Sequence, residues 1–137
     1  MKRSYIKRRS PNPVSRAEAK ADGLIQQVVC RAGKCAVCGS TYNLSGHHVV
    51  RKAECHGSLY LLRFHPMNLV CMCQYCHIPL GHERREEFDS WLMQNRTDQW
   101  EFISSQTRER DGGMTLRTLD NLEAIIAGLN GVLGLPQ

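Results

Sequence analysis

The chain has 137 residues, an ordinary hydrophobic fraction and few aromatics, so the expectation is one domain with a modest core that a structural metal would strengthen. Seven cysteines are an odd count, which argues against a plain disulfide framework. No apolar run follows the basic start Met1 to Arg9, and no stretch approaches the ~20 apolar residues of a membrane span, so the expectation is a reduced, cytoplasmic protein with no membrane partner.

The net charge of +5 is unevenly placed. Within residues 1–20, Lys2, Arg3, Lys7, Arg8, Arg9, Arg16 and Lys20 face Glu18 alone, and the rest of the chain is close to neutral. A basic arm suits a polyanion, because each neutralised phosphate releases counterions; a solvated tail is the plainer reading.

Residues 1–14 read as that flexible arm, ending in Ser10-Pro11-Asn12-Pro13. Ser15-Arg16-Ala17-Glu18 has the capping-box pattern, so a helix is predicted from there to about Arg31, stopped by Gly33, with Leu24, Ile25, Val28 and Val29 on one apolar face. Cys35-Ala36-Val37-Cys38-Gly39 reads as a metal-binding knuckle whose glycine permits the tight turn. The runs His47 to Lys52 and Leu59 to Phe64 predict a hairpin with a long tip loop. Leu69 to Met72 predicts a short extended run, and Cys73 opens a second knuckle leading into a helix that carries Cys76 and His77 and is ended or kinked by Pro79 and Gly81. Helices are predicted over Glu83 to Gln94 and, capped by Thr97, over Asp98 to Arg108, with Trp91 and Trp100 facing inward. After an Asp111-Gly112-Gly113 linker, apolar residues at helical spacing predict a helix over residues 116–127, with Gly128, Gly131 and Gly134 ending it in a frayed tail. The division is an arm (1–14), a zinc domain with flanking helices (15–110), and a linker with a C-terminal amphipathic helix (111–137).

Cys35, Cys38, Cys73 and Cys76 form two Cys-x-x-Cys pairs, a spacing suited to a tetrahedral structural zinc. Such a site contributes on the order of 10–16 kcal/mol of apparent folding free energy. Cys71 is a rival to Cys73, since the two face the same side of an extended strand; Cys73 is preferred because Cys73-x-x-Cys76 repeats the first knuckle. Cys30, Cys55 and Cys71 are read as buried or loop thiols.

His47 and His48 are adjacent on a predicted strand, so their side chains point opposite ways and neither can replace the other. A division of labour follows, in which one binds a metal and the other polarises water. His77 directly follows a zinc cysteine, which would anchor it. No Asp/Glu cluster accompanies the histidines, so two catalytic metals find no support.

The segments His47-His48-Val49-Val50 and Asn68-Leu69-Val70-Cys71-Met72-Cys73-Gln74-Tyr75-Cys76-His77 resemble the HNH endonucleases of the ββα-metal (His-Me finger) fold, many of which carry a four-cysteine zinc site. The resemblance covers roughly residues 35–82. Gly46-His47, Arg63-Phe64-His65-Pro66-Met67-Asn68 and Leu80-x-His82 are also similar to the phage NinG (Rap) recombination proteins, which are associated with branched-DNA cleavage. The resemblance implies a small zinc-stabilised α+β protein with a ββα-metal core and flanking helices. It implies DNA as partner, His47 and His77 as ligands of a catalytic divalent ion (Mg²⁺, Mn²⁺, Ni²⁺ or Zn²⁺), His48 as general base and Asn68 as the brace of the loop that orients it. A third ligand is common four residues after the helix histidine; here that position is Gly81, and His82 or water takes its place. In the register of the phage proteins, His47 is the base instead.

Arg51, Lys52 and Arg63 flank the proposed hairpin and, with Lys2, Arg3, Lys7, Arg8 and Arg9, are the candidate phosphate contacts. The competing readings are a non-catalytic zinc module that binds nucleic acid and an adaptor or homodimer built on the C-terminal leucine stripe.

Overall fold

The computed structural model describes residues 12–108 and 117–136, so most of the basic arm, including Lys2, Arg3, Lys7, Arg8 and Arg9, and the Asp111-Gly112-Gly113 linker lie outside the described residues. The architecture is α+β, mostly helical, with one two-stranded antiparallel sheet. No helix among the described residues is long and apolar enough to cross a membrane.

Helix α1 spans Pro13–Val29. It starts two residues before the expected cap: the Asn12 side chain accepts from Ser15 N at 2.8 Å and Pro13 occupies the first turn, where its missing N–H costs nothing. Glu18, released from capping, is drawn into the interior instead. Ala21, Leu24 and Ile25 form the buried face.

Strand β1 (Leu44–His48) pairs with β2 (Leu69–Cys73) in the register Gly46↔Cys71 and His47↔Val70. The sheet partner of β1 is therefore not Leu59 to Phe64, which folds as a 3₁₀ helix over Gly57–Phe64. The apolar run that suggested a strand has another cause. Tyr60 and Phe64 pack into one apolar cluster with α1, whereas Leu62 packs into a second cluster on the other side. A segment squeezed between two cores is apolar along its length without being extended.

Strand β2 is buried along its whole length, because Leu69 joins the α1 cluster and Val70 and Met72 join the other. Gly46 lets the chains approach closely: a Cβ there would meet Leu69 Cδ2 at 2.9 Å. The side-chain amide of Gln26 bonds both Gly46 N and Gly46 O, covering the free edge of β1.

After β2 come a single α turn, α2 (Gln74–Cys76), and a π-helix over His77–Glu83. The expected end or kink at Pro79 and Gly81 takes the form of this wider helix, and α3 consequently starts late, at Arg85–Asn95. In α4 (Thr97–Arg108), Thr97 is the first helical residue rather than a cap; its hydroxyl donates to Met93 O at 3.2 Å and closes the end of α3. Phe88, Leu92 and Ile103 fill the second cluster, with Trp91 and Trp100 packed half-buried against it.

Helix α5 (Leu119–Leu133) runs through Gly128 and Gly131 and stops at Gly134, whose φ of 71° makes a left-handed cap. Leu122, Ile126 and Leu129 are buried against α1, so the leucine stripe is used within the chain.

Candidate metal centres

The first knuckle is a tight turn held by Gly39 N to Cys35 O at 2.9 Å and by Cys35 N to Ser40 O at 2.8 Å, with Gly39 at φ 76°. Ala36 N donates to Cys71 O at 2.8 Å, which pins the knuckle to β2. Cys73 ends β2 and Cys76 ends α2, so the second pair spans a strand-to-helix turn. The Sγ atoms of Cys35, Cys38, Cys73 and Cys76 all lie within 4.8 Å of one another.

The spacing fits a tetrahedral ion. Zn–S bonds of about 2.3 Å at tetrahedral angles put sulfurs about 3.8 Å apart. Cys38 and Cys73 are 3.5 Å apart, near that edge and far from a disulfide bond. Burial raises the Cys35 thiol, but backbone N–H groups of Cys38, Cys73 and Val37 outweigh it and bring the group down to about 6. Burial pushes Cys76 up, and the sulfurs of Cys38, Cys73 and Cys35 push it further. The easier ionisation of Cys35 thus stands against the raised thiols of Cys38 and Cys76, and a divalent cation among the sulfurs would remove that conflict. The group could hold a structural ion such as zinc.

Cys71 stands outside the quartet, two residues back on β2. Burial and the neighbouring Cys30 push its thiol up to about 12, and burial pushes Cys55 up to about 11.

The second cluster begins one peptide bond after Cys76. His47 from β1 and His77 and His82 from the π-helix bring ring nitrogens within 4.8 Å of one another. Ring centroids are 5.0 Å apart for His47–His77, 5.1 Å for His47–His82 and 4.7 Å for His77–His82. The π-helix accounts for the third member. Its i→i+5 winding sets His82 over His77, with the rings stacked at 19°. Gly81, at the α-helical i+4 position, lies flat against His47: a Cβ there would sit 2.9 Å from His47 Cε1 and Nδ1.

His47 is 3% exposed, and neither ring nitrogen has a hydrogen-bond partner. Orphaned buried nitrogens cost about 1–3 kcal/mol each, a cost that a bound ion would offset. Burial, followed by the nearby His77, His82 and Arg85, takes His47 down to about 3; burial and the neighbouring His82 and His48 also lower His77. Neutral imidazoles with free lone pairs are the form in which histidine binds a metal. Ser45 Oγ lies 2.8 Å from His77 Nδ1 and Phe88 meets the His47 ring edge-on at 4.8 Å, so the cluster has a supporting shell.

His48 is not a member of this trio, but it lies near enough for its charge to lower both His47 and His77. Its Nε2 lies 2.9 Å from Arg63 O, and because a carbonyl only accepts, Nε2 carries the proton and Nδ1 keeps the lone pair in the neutral ring. Burial holds its pKa below the usual value, against the pull of that bond. Asn68 is fully buried; its Oδ1 accepts from Val50 N at 2.7 Å, and its Nδ2 donates to Val50 O at 3.1 Å and Leu62 O at 3.0 Å. It ties the turn after His48 to the 3₁₀ segment.

Of the candidate phosphate contacts, Arg51 is exposed and Lys52 pairs with Asp22. Arg63 is turned inward, paired with Asp22 and Glu18, its side chain 14% exposed. Residues that sequence reasoning passed over include Ser45, which shares a strand face with His47 at i−2, and Arg85, whose Nη2 donates to Val49 O at 2.7 Å. The strand period would have found Ser45; nothing local marks Arg85.

The chain matches no family model, no curated protein and no solved structure. What it does must be argued from these two clusters.

Proposed function

We propose that the protein is a metal-dependent nuclease of the HNH, ββα-metal kind that hydrolyses DNA phosphodiester bonds in a reducing, cytoplasmic setting. In this reading β1, β2 and the π-helix are the ββα-metal core, and the cysteine quartet holds a structural zinc. The observation that supports it best is the meeting of His47, His77 and His82, with His47 carrying two buried, unpartnered nitrogens beside His48 on one strand.

His47, His77 and His82 would hold one divalent ion. When bound, that ion supplies positive charge against the negative charge developing at the phosphate and its leaving oxygen. His48 takes the proton of the attacking water on Nδ1, the nitrogen left free by the bond to Arg63 O. His48 is a better base than His47, whose nitrogens are both buried. Asn68 fixes the turn that follows His48. Three imidazoles and no carboxylate favour zinc or nickel over magnesium and manganese. Arg51 and the basic arm carry the charge that would meet DNA, while Arg63 serves inside the fold. The similarity to phage recombination proteins makes branched DNA the first substrate to offer.

The test is incubation of the protein with supercoiled plasmid and a four-way junction in Mg²⁺, Mn²⁺, Ni²⁺ and Zn²⁺, beside His48→Ala. Cleavage should fall by roughly 10²–10⁴-fold in the variant, with folding and DNA binding retained. Equal cleavage by both proteins, or none in any ion, returns the chain to the reading of a zinc module that binds nucleic acid without cutting it.

A further inference from the structure

We propose that Asp22 and Glu18, two carboxylates on α1, are positioning residues for His48 and act on it through Arg63. The proposal rests on the nuclease reading, in which His48 is the base.

Arg63 is held at both ends. Its carbonyl accepts from His48 Nε2 at 2.9 Å. Its guanidinium forks onto Asp22, Nε to Oδ1 at 2.9 Å and Nη2 to Oδ2 at 2.7 Å, and Nη1 reaches Glu18 Oε1 at 2.9 Å. Glu18 is held in turn by the Tyr60 hydroxyl at 2.9 Å and by Arg117 Nε at 2.6 Å. The side chains of Arg63, Glu18 and Asp22 are 14%, 12% and 20% exposed, so this is an internal brace and not a surface pair.

The brace is needed because of where Arg63 sits. Its carbonyl belongs to a 3₁₀ segment, in which hydrogen-bond geometry is poorer than in an α-helix. Asn68 secures the neighbouring Leu62 carbonyl at 3.0 Å, and its other side-chain bonds go to Val50 and Cys55. The bidentate pair to α1 therefore sets the position of the carbonyl that orients the His48 ring. A bidentate fork is geometrically specific in a way a single ammonium contact is not. Misplacement of a reacting group by about 1 Å costs roughly 10²-fold in rate.

The test compares wild type with Asp22→Asn, Glu18→Gln and Arg63→Lys. Two readouts are taken: kcat and KM on the DNA that wild type cuts, and the ¹⁵N-labelled His48 ring by NMR. Expected are a fall in kcat of about tenfold for each carboxamide variant and about 100-fold for Arg63→Lys, with KM within about twofold, together with loss of the protected Nε2–H signal. A KM that rises while kcat holds, or an unchanged ring signal, overturns the proposal and makes Arg63 an ordinary electrostatic contact. If Asp22→Asn loses the fold, Glu18→Gln, which keeps the size of the side chain and the Asp22 fork, carries the same test. Full activity of His48→Ala would sink the nuclease reading instead, and the ring signal would still report whether α1 holds His48 in place.

Discussion

The sulfur quartet and the imidazole trio share one turn of chain, meeting at the Cys76–His77 peptide bond, yet they are built on opposite plans. The quartet is closed: four ligands from two knuckles, with backbone N–H groups aimed at Cys35. The trio is three histidines drawn from one strand and one π-helix, grading from buried His47 through half-buried His77 to exposed His82. Structural zinc sites fill all four positions with protein atoms, whereas catalytic ones hold three and leave one for water or substrate. By that rule the first cluster has the form of a structural staple, and the second, open on the His82 side, has the form of a site with a free position.

The largest expected effect is at the quartet. Cys73→Ser should remove a term on the order of 10–16 kcal/mol, against a total stability of roughly 5–15 kcal/mol for a typical domain. The variant, and wild type treated with a strong chelator, should lose protection from hydrogen exchange across residues 35–80. A chelated protein that kept this protection would show that the quartet is not a staple. The trio should respond in the opposite sense. His47→Leu replaces a ring with two unpartnered buried nitrogens by an apolar side chain. With no divalent ion added to the trio, stability to urea should rise by about 1–3 kcal/mol for each of the two nitrogens removed, while nickel binding at the trio, followed by calorimetry, is lost. A destabilised variant would mean the ring is structural after all.

The two centres also differed in how far they could be read from the sequence. The quartet was legible because each half is local: Cys-x-x-Cys spacing sets two sulfurs on one turn wherever the chain goes. His47 and His77 were visible as chemistry, but the third ligand was left open between His82 and water, because the choice turns on whether the helix winds i→i+4 or i→i+5. That choice follows the close contact of Gly81 with the His47 ring, a tertiary fact. The strand assigned to Leu59–Phe64 failed for a related reason: its apolar run served two cores, not a sheet. The pairing of Arg63 with Asp22 joins residues far apart in sequence, and no local pattern announces it.

A smaller effect separates the trio from its support. Ser45→Ala removes the partner of His77 Nδ1 and nothing else in the hydrogen-bonded frame of the trio. Affinity for nickel should drop about 10–100-fold with the melting temperature of the zinc-loaded protein little changed. Retention of full affinity would mean that His77 is oriented by the π-helix alone.

The smallest expected effect is the pH dependence of the α1 brace, which lies apart from both clusters. Burial pushes the Glu18 carboxyl up, but hydrogen bonds from Arg117 and Tyr60 and the charge of Arg63 outweigh it and leave the pKa below the usual value. Burial likewise raises Asp22, and the bonds and charges of Arg63 and Lys52 more than reverse it. Each group is therefore a stronger acid folded than unfolded. As pH falls, the unfolded chain takes up these protons first, so unfolding is favoured; the stability is fully present above the unfolded pKa and is lost as pH drops through the folded one. Metal binding by cysteine also weakens as pH falls, so the informative quantity is a difference. Wild type should lose more stability than Glu18→Gln/Asp22→Asn between about pH 6 and pH 3, a window that brackets the ordinary carboxylate values. Parallel acid limbs for the two proteins would mean that the brace holds Arg63 by shape, with its charge contributing nothing.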